Sequence, residues 1–291
     1  MLVLDHPLND QTAGSLELGG DLRVRRLGLG AMRLTGAGIW GEPADPEGAR
    51  EVLVRAVGLG VNFIDTADSY GPEVSERLIG ETLHPYPQGL VIATKGGLTR
   101  PGPSRWVPNG RPEHLRQACE GSLRRLRLEC IDLYQLHRVD PNVPIEETVG
   151  ALAELRAEGK LRHVGLSNVT IAQLERAQQI VPIASVQNRY NLIDRRDEDM
   201  VDHCERHGLA FLPWAPLSAG NLAAPGGLLG RLAARHRASA GQIALAWLLR
   251  RSPAMLLIPG TSSVEHLLEN LAAPLVPLTR GEIDDLTRRR R

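Results

Sequence analysis

The chain has 291 residues, 42% hydrophobic and 23% charged, enough to bury a sizeable core and keep a polar surface. Lys and Arg together number 34, as do Asp and Glu, so no net field draws the chain to nucleic acid or an anionic membrane. Residues Met1–Pro7 lack the basic flank and apolar run of a secretory signal, and no stretch is long enough to span a bilayer.

Residues Ser15–Val24 alternate polar and apolar side chains around Gly19-Gly20 and read as a β-hairpin ahead of the main fold. Short apolar runs and helical patterns then alternate. Leu27–Ala31 precedes a helix over Pro46–Leu59, and Val61–Asp65 precedes one over Val74–Leu83. Leu90–Lys95 is followed by a Gly- and Pro-rich loop, 96–111, and a helix over Pro112–Leu126. Ile131–His137, His163–Ser167 and Ala184–Gln187 precede helices over Pro144–Glu158, Thr170–Gln178 and Glu198–His207. Leu209–Pro213 leads to an extra helix over Leu228–Arg237 and then one over Ser239–Arg251; Met255–Pro259 leads to another extra helix, Val264–Leu271.

Eight near-continuous apolar strands alternate with helices, without a composition break. This favours one (β/α)8 barrel domain over residues 1–291, a TIM barrel with an N-terminal hairpin and extra helices after strands seven and eight. A doubly wound open sheet is the competing architecture. Pro46, Pro112 and Pro144 sit at helix starts, and Gly60, Gly159 and Gly208 just past helix ends, where each costs least. Cys119, Cys130 and Cys204 show no CxxC spacing and fit a reduced, cytoplasmic setting, with Cys119 a small apolar filler. The Arg288–Arg291 run reads as a solvated tail.

In such barrels catalytic groups lie at the C-terminal strand ends. Asp65, Lys95 and His137 end strands two, three and four, and Tyr70 follows Asp65 in the adjoining loop. Taken singly, each is more simply a helix cap, a surface charge or a satisfied histidine. Together at successive strand ends they make an active site. A phenol titrates at about 10, and an adjacent ammonium is expected to lower that value. A buried lysine needs a partner to stay charged, and Asp65 is the natural one. His137 is placed to hydrogen-bond a substrate oxygen. The set suits protonation of a carbonyl oxygen during reduction. No metal site is expected: a metal-dependent hydrolase would need a His-x-His pair after strand one, or an acidic cluster, and the chain has neither.

The sequence resembles the aldo-keto reductases over nearly all its length. The resemblance rests on Phe63-Ile64-Asp65-Thr66-Ala67-Asp68-Ser69-Tyr70-Gly71, Asp132-Leu133-Tyr134-Gln135-Leu136-His137, Gly165-Leu166-Ser167-Asn168, and Ile258-Pro259-Gly260-Thr261 leading to Glu269-Asn270. It implies hydride transfer from the nicotinamide of NADPH, with NADH as the alternative, to a small-molecule carbonyl. Tyr70 would be the general acid, Lys95 and Asp65 would tune it, and His137 would orient the carbonyl. It further implies that Ser167, Asn168 and Gln187 hold the nicotinamide carboxamide and that Trp214 stacks on the ring. Pro216, Leu217, Ser218 and Gly220 would meet the pyrophosphate, with Gly30 and Met32 lining the cofactor's path. Gly28 and Gly30 form a G-x-G read as strand-end turn chemistry.

Thr261, Ser262 and Ser263 open a helix whose amides and hydroxyls would face the adenosine 2′-phosphate, and Glu269 and Asn270 fit the adenine amino group. The chain departs from the family here. Gly260 stands where a basic residue is common, and His266 where an arginine is common. Trp40 and Trp106 are the candidate substrate walls. The chain runs only to Arg291 after its last helix, where many steroid and sugar reductases of the family carry a long loop. An open site accepting varied aldehydes follows. The runs around Met32, Asn168 and Thr261 are most similar to a bacterial branch that includes pyridoxal reductases, making pyridoxal a candidate substrate. A monomer or weak homo-oligomer is expected. A nicotinamide-binding regulatory subunit, as in channel-associated members of the family, is the rival reading.

Overall fold

A computed structural model describes residues 2, 6–217 and 227–288. It opens with a short helix, α1 (Asp10–Ala13), and the expected hairpin, β1 (Ser15–Leu18) and β2 (Leu22–Arg25), which pair antiparallel about Gly19-Gly20. Seven parallel strands follow: β3 (Leu29–Gly30), β4 (Phe63–Asp65), β5 (Val91–Gly96), β8 (Ile131–Leu136), β9 (Leu161–Ser167), β10 (Ile183–Gln187) and β11 (Ala210–Phe211). They hydrogen-bond in the order β11-β10-β9-β8-β5-β4-β3.

The eighth run, 255–260, closes the sheet through isolated parallel bridges rather than a regular strand. Phe211 bridges Met255 on one side, while Leu27 and Gly30 bridge Leu257 and Gly260 on the other. The fold is therefore a (β/α)8 TIM barrel. Close backbone approach on both sides of β3 explains the Gly28-x-Gly30 pair, and corrects the turn reading of it. A Cβ at Gly28 would lie 2.6 Å from the Phe63 carbonyl oxygen, and one at Gly30 2.6 Å from that of Ile258. Gly28 is thus crowded by the β4 backbone and Gly30 by the closing run, and neither position has room for a side chain.

Helices α2 (Pro46–Gly58), α3 (Val74–Leu83), α4 (Pro112–Leu126), α5 (Ile145–Ala157), α6 (Ile171–Gln178), α7 (Glu198–His207) and α9 (Ala240–Arg251) surround the barrel. The extra helices α8 (Leu228–His236) and α10 (Val264–Leu271) stand where expected, and a further one, α11 (Arg280–Arg288), was not foreseen. The stretch expected as an open loop after β5 is instead an antiparallel hairpin, β6 (Leu98–Gly102) with β7 (Arg105–Pro108). Among the described residues no helix is long and apolar enough to cross a membrane.

Two cores result from the two-residue period of the strands. One lies between sheet and helices, with Ile64, Ile92, Tyr134 and Leu166 facing Leu53, Leu78, Leu152 and Leu248. The other fills the lower barrel, where Phe63, Ala93, Leu133 and Leu256 meet Leu18, Leu22 and Val24 of the hairpin. The hairpin thus seals the bottom. The inward positions one step higher are Asp65, Lys95 and Gln135, so the interior turns polar toward its C-terminal mouth.

Candidate active site

The polar layer is organised around one ammonium. Lys95 is fully buried; its Nζ donates to Asp65 Oδ2 at 2.6 Å and to the Thr66 carbonyl at 2.8 Å, and lies 3.5 Å from the Tyr70 hydroxyl. The other Asp65 oxygen accepts from Gln135 Nε2 at 3.0 Å and Gln187 Nε2 at 2.9 Å. Gln135 lay inside a quoted motif but received no role. Its signal was the two-residue period, which places it level with Lys95 on the neighbouring strand.

Burial works against the Lys95 charge, but the Asp65 carboxylate and the Tyr70 oxygen outweigh it and hold the ammonium above its ordinary value. Tyr70 corrects the expectation of a lowered phenol. Burial pushes its hydroxyl up, and the opposing pull of Lys95 is the smaller effect. The phenol therefore stays protonated at neutral pH. For His137 burial comes first and the charges of Lys95, Arg138 and Arg100 follow, all driving it well below the usual histidine range. Its imidazole is neutral, with Nδ1 3.2 Å from Ser69 Oγ.

Asp65, Tyr70 and His137 line a cavity of about 510 Å³ at the C-terminal mouth. Its walls bring together Gly30, Met32, Asp65, Tyr70, Trp106, His137, Ser167, Asn168, Gln187, Trp214, Pro216, Leu217 and Gly260 from the expected set. Arg33, Leu98, Arg138, Ala215 and Ile258 also line it and were not anticipated. Arg138 could have been found from its place directly after His137. Lys95 stands behind Tyr70 rather than on the wall. Trp40 lies behind Arg100, whose guanidinium carbon is 5.5 Å from its ring centre, so it is not a wall of this cavity.

One side of the cavity is a set of amides beside a flat ring. Asn168, in the left-handed region at φ 59°, donates from Nδ2 to the His137 carbonyl at 3.1 Å and to Ser167 Oγ at 2.9 Å. Its Oδ1 accepts the Trp214 indole N–H at 3.2 Å. Paired amides against a half-buried indole fit a planar ring bearing a carboxamide. Ser218 and Gly220 lie outside the described residues.

The adenosine-side residues are arranged differently from the expectation. Thr261, Ser262, Ser263, His266, Glu269 and Asn270 lie outside the cavity lining. The Thr261 hydroxyl accepts from the Ser263 amide at 3.0 Å, and Ser263 caps α10 by accepting from the His266 amide at 3.4 Å. Glu269 already accepts a hydrogen bond from Ser239. The helix start is thus partly satisfied by its own hydroxyls, while Ser262 and His266 are exposed.

The match to known proteins agrees with this geometry. Residues 26–290 match the model of the aldo/keto reductase family. An uncharacterized oxidoreductase of Schizosaccharomyces pombe is 52% identical over 267 residues, covering 92% of this chain and 87% of the relative. Pyridoxine 4-dehydrogenase of Escherichia coli is 43% identical over 273 residues, covering 92% and 95%. An aldo-keto reductase of Klebsiella pneumoniae solved with NADPH superposes with a TM-score of 0.79 at 27% identity, covering 94% of each chain. A closed barrel carrying this tyrosine, lysine, aspartate and histidine at its mouth, together with these matches, shows that the chain belongs to the aldo/keto reductase family of nicotinamide-dependent oxidoreductases.

Proposed function

We propose that the chain reduces aldehydes to alcohols with NADPH, and that Tyr70 gives the proton to the carbonyl oxygen. The supporting observation is the buried Lys95, set between Asp65 and the Tyr70 hydroxyl just behind the cavity surface. Bound nicotinamide supplies a hydride from C4. Asn168, Ser167 and Trp214 would hold its carboxamide-bearing ring, with Gly30, Met32, Pro216, Leu217 and Gly260 along the rest of the groove.

A neutral, protonated phenol can hydrogen-bond a carbonyl oxygen and release its proton as negative charge develops there. Lys95 then stabilises the phenolate left behind, and Asp65 keeps Lys95 charged and aimed. His137 Nε2 has no protein partner among the described residues and serves as the second contact to the oxygen. Gln135 and Gln187 fix the Asp65 carboxylate.

NADPH is favoured over NADH because the exposed Ser262 hydroxyl and the start of α10 suit a 2′-phosphate, and because the Klebsiella neighbour was solved with NADPH. The E. coli relative's name supports pyridoxal as a substrate. We read residues 1–291 as one domain acting as a monomer or weak homo-oligomer in a reducing, cytoplasmic setting.

Initial rates of NADPH and NADH oxidation with pyridoxal and an aromatic aldehyde test this reading. Tyr70→Phe is expected to lower kcat roughly 10²–10⁴-fold without changing NADPH affinity. Full activity in that variant would remove Tyr70 as the acid.

A further inference from the structure

Arg100 sits on β6, in the segment expected to be an irregular loop, and its guanidinium is held at three points. Nε donates to the Arg105 carbonyl at 3.0 Å within the same hairpin. Nη1 donates to the Ser69 carbonyl at 2.7 Å, one residue before Tyr70. Nη2 donates to the Gly38 carbonyl at 3.2 Å, in the loop that carries Trp40. Three carbonyls from three different barrel loops are therefore gathered by one side chain.

The same guanidinium covers Trp106, its carbon lying 3.6 Å from the ring centre, with Trp40 on the same group at 5.5 Å. Trp106 in turn meets Tyr70 edge to face at 6.3 Å and 83°, and His137 at 6.1 Å and 61°. Only arginine combines a planar face for stacking with a rigid fork of donors; lysine offers a point charge with neither. Leu98, two residues before Arg100 on the same hairpin, lines the cavity beside Trp106. The wall next to the reacting groups is thus aromatic and apolar, and its ring is clamped from behind.

We propose that Arg100 is a positioning residue that clamps Trp106 against Tyr70 and His137, and that the wall so formed selects aldehydes bearing a flat aromatic ring. The inference rests on the carbonyl-reduction reading. An aromatic substrate gains from a ring held at one angle, because the ordering of that ring is complete before binding. A small aliphatic aldehyde makes too little contact with the wall to register its loss.

The test compares KM for 4-nitrobenzaldehyde and for propanal in the wild type, Arg100→Met, Arg100→Lys, Trp106→Ala and the double variant Arg100→Met/Trp106→Ala. Arg100→Met is expected to raise the ratio of the aromatic to the aliphatic KM roughly tenfold, with NADPH affinity unchanged. Arg100→Lys should behave like Arg100→Met, since it lacks the fork. In the Trp106→Ala background the Arg100 substitution should add little, the signature of one residue acting through another. An unchanged KM ratio, or independent effects that multiply in the double variant, would overturn the inference. Equilibrium titration with 4-nitrobenzaldehyde, read by tryptophan quenching, makes the same comparison without turnover. A wild type that binds the aromatic aldehyde in an Arg100-dependent way but never reduces it would sink the reaction reading and leave the clamp standing.

Discussion

Lys95 carries its charge with no exposed surface, and Asp65 is the counter-ion that makes this tolerable. Removing one partner of a buried pair leaves the other charge uncompensated. Asp65→Asn should therefore destabilise the fold by about 3–5 kcal/mol in urea unfolding, as well as disabling reduction. The same residues set the pH dependence. Reduction needs Tyr70 protonated, and burial raises its pKa, so activity should fall only as pH climbs past the ordinary phenol value of about 10. His137 is held neutral well below its ordinary value of about 6.5, so no acidic limb should appear near that pH. A kcat/KM profile declining from pH 8 upward, or one halved near pH 6.5, would contradict these assignments. The sign for Tyr70 was misjudged from sequence because proximity of a lysine is legible there, whereas the depth of burial opposing it is not.

At the level of elements, the seam between β3 and the 255–260 run closes the barrel through isolated bridges and leaves no room for a side chain at Gly30. Gly30→Ala would force a methyl to within 2.6 Å of the Ile258 carbonyl oxygen. A destabilisation of about 1–3 kcal/mol is expected, measurable as a lowered urea midpoint with an unchanged slope. A midpoint equal to wild type would mean that the seam can relax. The hairpin β6–β7 shows the reverse situation, since its sequence, rich in Gly and Pro, signals a loop. It is ordered by partners far along the chain, the Ser69 and Gly38 carbonyls that Arg100 gathers. Start and stop signals were more reliable. Gly208 closes α7 at φ 66°, a conformation that glycine reaches without steric cost.

On the scale of the whole molecule, folding and cofactor binding are linked, because the groove exists only when strands from both halves of the barrel meet at one mouth. A ligand that binds only the folded chain at about one hundred times its Kd adds about 2.7 kcal/mol of stability. For a chain of this size NADPH should therefore raise Tm by a few degrees, and NADH at the same concentration by less. Equal shifts would remove the assigned preference and with it the role given to the start of α10.

The order of strands and helices, the barrel they form, and the strand-end positions of Asp65, Lys95 and His137 were legible in the sequence by itself. Each depends on local pattern: apolar runs buried on both faces, a two-residue period, and caps of proline and glycine. Tertiary structure alone decided the net effect on Tyr70, the Gln135 and Gln187 contacts to Asp65, the Arg100 clamp, and the self-satisfied hydroxyls of Thr261 and Ser263. It also moved Trp40 off the cavity wall. Most of these depend on distances between residues tens of positions apart, and the Thr261 and Ser263 bonds depend on how one turn is set. No local periodicity encodes either, because burial and hydrogen-bond partners exist only once the barrel has closed.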